Sequence, residues 1–366
     1  MRRALDLALQ ARGRTSPNPM VGCVIVKEGR IIGEGFHPYA GAAHAEVHAL
    51  QAAGESAAGA ELFVTLEPCN HTGRTPPCTE AIIRAKIRRV VAAIEDPNPL
   101  VSGQGAERLR QAGIRVDVGV LAKEAWQTNE AFIKVMTRGL PWVVYKSALT
   151  LDGKIATENG DSQWVSSDAS RQAVQQMRNI CDVIMVGSET VLHDDPALTC
   201  RLPGGKDPVR VVIDGSLRIQ TDNRVLTYSA QAPCIIATTQ ASPPIRRALL
   251  NTLPNVEVWL YDTERYVPLK KLMQDLVARG WHNVLLEGGG RLAGQMLAED
   301  LIDQVDFFVA PKLIGGQGPS PLSGFEVRRM SEARPLYHWQ IDTSTGDLHI
   351  HAYLHIPHWV NRSEVN

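Results

Sequence analysis

The chain has 366 residues, 44% hydrophobic and 21% charged, with 38 Lys plus Arg against 39 Asp plus Glu. This length predicts two domains of roughly 100–200 residues each. The charge balance lacks the basic excess that marks nucleic-acid binding, so a polynucleotide substrate is not expected. The longest apolar runs, such as Val284-Leu285-Leu286, are far too short to span a bilayer, and Met1-Arg2-Arg3-Ala4-Leu5-Asp6 has no apolar signal core. A cytoplasmic protein with no membrane contact is the expectation. Six cysteines at 23, 69, 78, 181, 200 and 234 are too scattered for a disulfide framework. Cys23, Cys181, Cys200 and Cys234 read as small core or surface residues.

In chain order, residues 4–11 read as a short helix, followed by the turn Thr15-Ser16-Pro17-Asn18-Pro19. Asn18 has a rigid backbone on both sides. It is either a plain turn asparagine or an amide held stiffly enough to read a pyrimidine edge. Residues 21–26 and 30–35 form a hairpin around Glu28-Gly29. A helix over 45–53 has an apolar stripe at 45, 49, 50 and 53. A strand over 62–66, a helix over 79–85, a strand over 90–94, a helix over 106–112, a strand over 114–118 and a helix over 123–136 follow. This alternation predicts an α/β domain around one sheet.

The chemistry of this half sits in His44-Ala45-Glu46 and in Pro68-Cys69-Asn70-His71-Thr72-Gly73-Arg74-Thr75-Pro76-Pro77-Cys78. One imidazole and two thiols can hold zinc with the fourth tetrahedral position left for water. Zinc lowers the pKa of such a water to roughly 7, and Glu46 is placed to move its protons. H-x-E followed by P-C and a second cysteine is the signature of zinc nucleobase deaminases, with two residues between the cysteines. Here there are eight, so the insert must loop out and return. The two thiols and His44 stand at predicted helix starts, whose partial positive charge favours bound anions. The plainer alternative is an ordinary histidine with cysteines as apolar filler.

Arg138-Gly139-Leu140-Pro141 marks a domain boundary. Beyond it, strands are expected over 142–148, 182–186, 209–214, 234–238 and 256–260. Ser166-Ser167-Asp168 caps a helix reaching Arg178, and a second helix covers 269–278. The strand ending at Glu287 runs into Gly288-Gly289-Gly290 and a helix over 292–298. Free amides there suit a pyrophosphate, although the pattern fails G-x-G-x-x-G. Later strands cover 305–310 and 348–354, and residues beyond Ile356 read as a frayed tail. His349, His351, His355 and His358 have no thiol or carboxylate beside them in the sequence and read as surface histidines.

Thr15-x-Pro-Asn-Pro-x-Val-Gly22, His44-Ala-Glu-Val-His48 and Pro68-Cys-Asn-His-x-Gly-Arg-Thr-Pro-Pro-Cys78 closely resemble the bacterial bifunctional riboflavin-biosynthesis deaminase/reductases, in which the eight-residue gap is normal. Lys146-Ser-Ala-Leu-Thr-Leu-Asp-Gly153, Ser162-Gln-Trp164, the stretch Thr190–Arg201 and Glu287-Gly-Gly-Gly-Arg-Leu-Ala-Gly-Gln295 resemble the reductase half of the same family. The resemblance covers residues 1 to about 357. It implies a cytidine-deaminase-like three-layer α/β domain over 1–138, a dihydrofolate-reductase-like α/β domain over 139–357, and a tail over 358–366. It implies Zn2+ on His44, Cys69 and Cys78, with Glu46 catalytic. It places NADPH on Ala148, Trp164, Thr190, Asp194, Gly289, Gly290, Arg291, Leu292, Ala293, Gly294 and Gln295. It places a ribosyl-phosphate substrate on Ser162, Arg178, Leu198, Arg201 and Glu287. Arg178 and Arg201 suit a phosphate monoester; His71 and Arg74 of the insert face either that phosphate or solvent. Gly215 stands where some relatives carry serine, which puts a side-chain cofactor contact there in doubt.

The activities implied are deamination of 2,5-diamino-6-ribosylamino-4(3H)-pyrimidinone 5′-phosphate at zinc and NADPH-dependent reduction of its ribosyl group to ribityl. Asp194 is a candidate proton donor for the reduction on polarity alone. A homo-oligomer, a dimer, is expected. Two alternatives compete: a nucleoside or tRNA deaminase with an inert second half, and a binding module whose zinc is closed by His48 or His71 as fourth ligand.

Overall fold

The computed structural model describes residues 1–71, 76–99, 101–228, 232–357 and 359. The chain divides into two compact units, Met1–Leu140 and Pro141–Asn366.

The first unit runs α1 (Arg2–Leu9), β1 (Gly22–Lys27), β2 (Arg30–Phe36), α2 (Ala45–Ala53), β3 (Glu61–Val64), α3 (Cys78–Arg84), β4 (Arg89–Ala92), α4 (Gln104–Gln111), β5 (Arg115–Val118), α5 (Ala122–Thr128) and α6 (Glu130–Arg138). The sheet order is β2-β1-β3-β4-β5. β1 is antiparallel to β2 and β3, while β3, β4 and β5 are parallel. Alternation along β1 sets the layers, because successive side chains point to opposite faces. Cys23 and Ile25 pack with Ala45 and Ala49 of α2, and Val24 packs with Ala4 and Leu7 of α1. Helices thus cover both faces. A Cβ at Gly35 would stand 2.4 Å from Ala45 O, so α2 lies directly on the hairpin with no room for a side chain.

The single helix expected over 123–136 is two helices, α5 and α6, broken at Asn129. The Asn129 side chain accepts from Met20 N–H (2.8 Å) and donates to Met20 O (2.9 Å). This pairing holds the Pro17–Pro19 turn, and the helix is interrupted where the amide makes it.

The second unit runs β6 (Trp142–Thr150), α7 (Asp168–Ile180), β7 (Val183–Gly187), α8 (Ser188–Asp194), β8 (Val209–Ile213), α9 (Arg224–Thr227), β9 (Cys234–Thr239), α10 (Pro244–Leu250), β10 (Val256–Tyr261), α11 (Leu269–Ala278), β11 (Asn283–Glu287), α12 (Gly290–Ala298), β12 (Gln304–Ala310), β13 (Tyr337–Asp342) and β14 (Leu348–Tyr353). Nine strands are ordered β10-β9-β8-β7-β11-β6-β12-β14-β13. They are parallel from β10 to β12, and β14 and β13 are antiparallel at the edge. The parallel strands are mostly apolar, as strands covered on both faces tend to be, with a few polar residues such as Lys146, Arg210, Glu287 and Asp306 among them. Ser167 caps α7 by accepting from Ser170 N–H. α8, α9, α10 and β13 carry too few turns or too little alternation to be read from the sequence.

The C-terminal histidines differ from the expectation. Asp306 on β12 is buried and joins His349 and His351 of β14: His349 Nε2 lies 2.6 Å and His351 Nδ1 3.4 Å from Asp306 Oδ1. His349 also stacks on Phe308, with ring centroids 4.2 Å apart. The carboxylate that joins them lies 43 residues upstream of His349, and only the β12–β14 register brings it across. His358 lies outside the described residues.

Candidate functional sites

His44 is the N-cap residue of α2, Glu46 lies in that helix's first turn, and Cys78 is the first residue of α3. His44 Nδ1 is 3.2 Å from Cys78 Sγ and 3.5 Å from Cys69 Sγ. The three donor atoms all lie within 4.8 Å of one another. A tetrahedral zinc with Zn–S near 2.3 Å and Zn–N near 2.05 Å needs N···S edges of about 3.6 Å, so the donor set fits zinc closely. Among the described residues no fourth His, Cys, Asp or Glu atom completes the group. This matches a catalytic rather than a closed structural site.

The Cys78 backbone N–H donates to Cys69 Sγ (3.4 Å) and Thr79 N–H donates to Cys69 O (3.2 Å). The start of α3 therefore receives the Cys69 sulfur, and the residues at the two ends of the insert meet. Thr79 Oγ1 also donates to Asn70 Oδ1 (2.9 Å). The thiol hydrogen bond from Cys78 lowers Cys69 to about 4, with burial opposing and His44 assisting. The hydrogen bond to Cys69 also raises His44 above the usual histidine value. Glu46 is 3% exposed, and burial first, then the Cys69 charge, pushes its carboxyl up to about 7. A carboxyl poised near neutrality both accepts and returns a proton.

Asn18 is brought to this site: its Nδ2 lies 3.0 Å from His37 Nε2, and the His37 ring meets His44 edge-on at 5.7 Å. His37 is anchored through Nδ1 to Ala43 O (3.2 Å). No sequence motif singled it out. Glu67 was likewise missed. It is buried, and it accepts from the N–H groups of Asp96 (3.0 Å), Gly103 (2.9 Å) and Ala106 (2.9 Å). It thereby braces Pro68-Cys69 against the loop leading into α4. His71 is exposed, and Arg74 lies outside the described residues.

In the second unit a cavity of about 610 Å³ opens toward the carboxyl ends of β6, β7 and β11. Ala148, Trp164, Thr190, Asp194, Gly289, Gly290 and Arg291 line it, as do Ser162, Arg178, Leu198, Arg201 and Glu287. Leu292, Ala293, Gly294 and Gln295 do not. Leu292, Ala293 and Gly294 are buried in the protein, and Gln295 Nε2 bonds to Glu299. The reason is the helix ladder. First-turn amides have no internal partner, but from Ala293, which donates to Gly289 O at 3.1 Å, the amides are engaged inside α12. Gly288 and Gly289 have φ of 74° and 73°, the left-handed region that lets the chain turn sharply from β11 into α12. A Cβ on Gly289 would also approach Thr190 Oγ1 to 3.2 Å, so the bare backbone leaves the cradle open for a diphosphate.

Arg178 and Glu287, separate substrate contacts in the sequence reading, are paired with each other. Arg178 Nε and Nη2 donate to the two Glu287 oxygens, each at 2.8 Å, and Nη1 donates to Thr199 O (3.1 Å). Burial alone would raise Glu287, but Arg178 holds it below the usual carboxylate range. Arg201 is exposed at the cavity and is the freer guanidinium. Lys146, missed as a site residue, lines the same cavity; burial and the Arg178 charge lower its pKa while Glu287 opposes them. Asp194 is raised by burial and accepts from Ser162 Oγ (3.4 Å).

The family model for the cytidine and deoxycytidylate deaminase zinc-binding region matches residues 1–94, and that for the RibD C-terminal domain matches residues 141–345. Fold and sites define a two-activity enzyme, a zinc-dependent deaminase joined to an NADPH-dependent reductase. The riboflavin biosynthesis protein RibD of Bacillus amyloliquefaciens is 43% identical over 354 residues, 96% of this chain and 95% of its own. RibD of Escherichia coli is 42% identical over 345 residues, covering 89% and 91%. Among solved structures, Acinetobacter baumannii RibD superposes with a TM-score of 0.86 at 37% identity over 96% of this chain and 97% of that one. The chain belongs to the RibD family of riboflavin biosynthesis proteins.

Proposed function

We propose that residues 1–138 deaminate 2,5-diamino-6-ribosylamino-4(3H)-pyrimidinone 5′-phosphate and that residues 139–357 reduce the ribosyl group of the product to ribityl. The Thermotoga maritima relative, 40% identical over 96% of this chain with a TM-score of 0.84, bears the name diaminohydroxyphosphoribosylaminopyrimidine deaminase/5-amino-6-(5-phosphoribosylamino)uracil reductase. The observation that carries the reading is the gathering of His44, Cys69 and Cys78 beside the buried Glu46.

Zinc, when bound by these three residues, activates water for attack on the ring carbon that bears the amine. Glu46 takes the water proton and returns protons to the ring nitrogen and the departing ammonia. Asn18 and His37 stand beside His44 and orient the pyrimidine edge. NADPH, when bound over Gly289–Arg291, supplies the hydride that C1′ receives. Arg201 holds the phosphate monoester. The Arg178–Glu287 pair fixes the wall against which the ribose lies. Lys146 delivers the proton to the ribose oxygen released on ring opening, since a lysine with a lowered pKa gives up its proton more readily than an arginine. The described residues contain no helix long and apolar enough to cross a membrane, and we assign the enzyme to the cytoplasm as a homodimer.

The test is to feed the diaminopyrimidinone phosphate with NADPH to the purified chain and follow ammonia, NADP and bound zinc together. One ammonia and one NADP per substrate, with one zinc per chain, is the expected result. Ammonia release without NADPH consumption would favour a lone deaminase and remove the second assignment.

A further inference from the structure

We propose that Arg224, together with Arg291, recognises the adenosine 2′-phosphate of NADPH and sets the preference for NADPH over NADH. This rests on the reading that the cavity holds the dinucleotide. The sheet order β8-β7-β11-β6 lays out its direction. Lys146 and Glu287 mark the reacting end on β6 and β11, and the α12 amides mark the diphosphate. The cavity then continues past α8, which follows β7, to Arg224 and Tyr228 in the segment after β8. The adenosine half falls there.

Dinucleotide folds read this position with an acid for a ribose diol or an arginine for a 2′-phosphate. The acid at the end of β8 is Asp214, and it is turned inward: it is 1% exposed and accepts from Ile219 N–H at 2.9 Å. The acids that do line the cavity have partners. Glu189 accepts from Arg218 Nη1 (2.6 Å), Glu287 is held by Arg178, and Asp194 by Ser162. Arg224 and Arg291 are exposed, and among the described residues neither guanidinium has a carboxylate at ion-pair distance. Arg291 feels the charge of Glu189, but that carboxylate is already paired with Arg218, so both guanidinium groups are left to match a dianionic phosphate monoester.

Arg224 is also placed. Asp195 Oδ1, at the end of α8, accepts from Arg224 N–H (2.8 Å) and Asn223 Nδ2 (3.1 Å). The start of α9 is thus tied to the helix that carries Thr190. Tyr228, 48% exposed at the end of α9, offers a ring to the adenine.

The experiment is a fluorescence titration of the full chain with NADPH and with NADH, using wild type, R224A, R224K and R291A, with thermal melting followed by circular dichroism to check that each variant folds. R224A is expected to raise the NADPH Kd about ten-fold or more and the NADH Kd by less than about two-fold, with R224K intermediate. 2′-AMP should displace NADPH from wild type and be about ten-fold weaker toward R224A. If wild type prefers NADPH but R224A shifts both dinucleotides equally, or neither, the assignment of Arg224 falls while the cavity reading stands. If wild type binds neither dinucleotide, the cavity reading falls and takes this one with it.

Discussion

The two sites of this chain are built in opposite ways. The first draws its donors from His44, Cys69 and Cys78, a span of 35 residues, and seats two of them at helix starts. The second draws from residues as far apart as Lys146 and Arg291, placed toward the ends of three parallel strands and on the helices that follow. A metal needs few ligands at short fixed distances, so a compact motif can carry it. A dinucleotide and a sugar phosphate need a long open surface, which only a sheet with its connecting loops provides.

The sharpest way to break this contrast is to disable one site and read both. Glu46→Gln should lower ammonia release about 10²–10⁴-fold and leave NADPH oxidation with pre-deaminated substrate unchanged. Equal loss of both activities would end the picture of two independent centres. Lys146→Met should lower reductase kcat by about 10²-fold or more while the NADPH Kd and ammonia release hold. A rise in NADPH Kd with kcat intact would move Lys146 from proton delivery to cofactor binding.

Stability tests compare the polar cores of the two units. Glu287→Ala strands the nearly buried Arg178 charge and should cost about 3–5 kcal/mol in urea unfolding. The pH dependence has a definite sign. Glu287 is held below the usual carboxylate range in the folded state, so its contribution is fully present above the unfolded value of about 4.3 and is lost as pH falls through the folded value. Wild type should therefore lose stability below about pH 4 more steeply than Glu287→Gln; parallel curves would show that the pair contributes little. The smallest effect is expected for Asn129→Ala, which leaves the Met20 amide and carbonyl without their side-chain partners and should cost about 1–3 kcal/mol, seen as a lowered Tm.

Much of the first site was legible because its logic is local. The helix expected over 45–53 is α2 as observed, and the helix expected over 269–278 is α11. What escaped were pairings over long separations. Asn129 finds Met20 across 109 residues, and Arg178 finds Glu287 across the same number. Asp306 finds His349 across 43. None of these partners has a spacing that periodicity or capping could reveal. After β11 the free amides are those of the first turn of α12; from Ala293, which donates to Gly289 O, the N–H groups are taken up by the helix itself.

By itself the sequence determined the residue types that chemistry demands: a histidine and two thiols for zinc, an acid two positions on, glycines where a strand turns into a helix. Tertiary structure decided which charges are free and which are taken. Arg178 is engaged by Glu287, Glu189 by Arg218, and Arg224 is left open to the cavity. The physical reason is that ionic pairing depends on distance in space, and this sheet sets β11 between β6 and β7, bringing together segments that lie far apart in the chain.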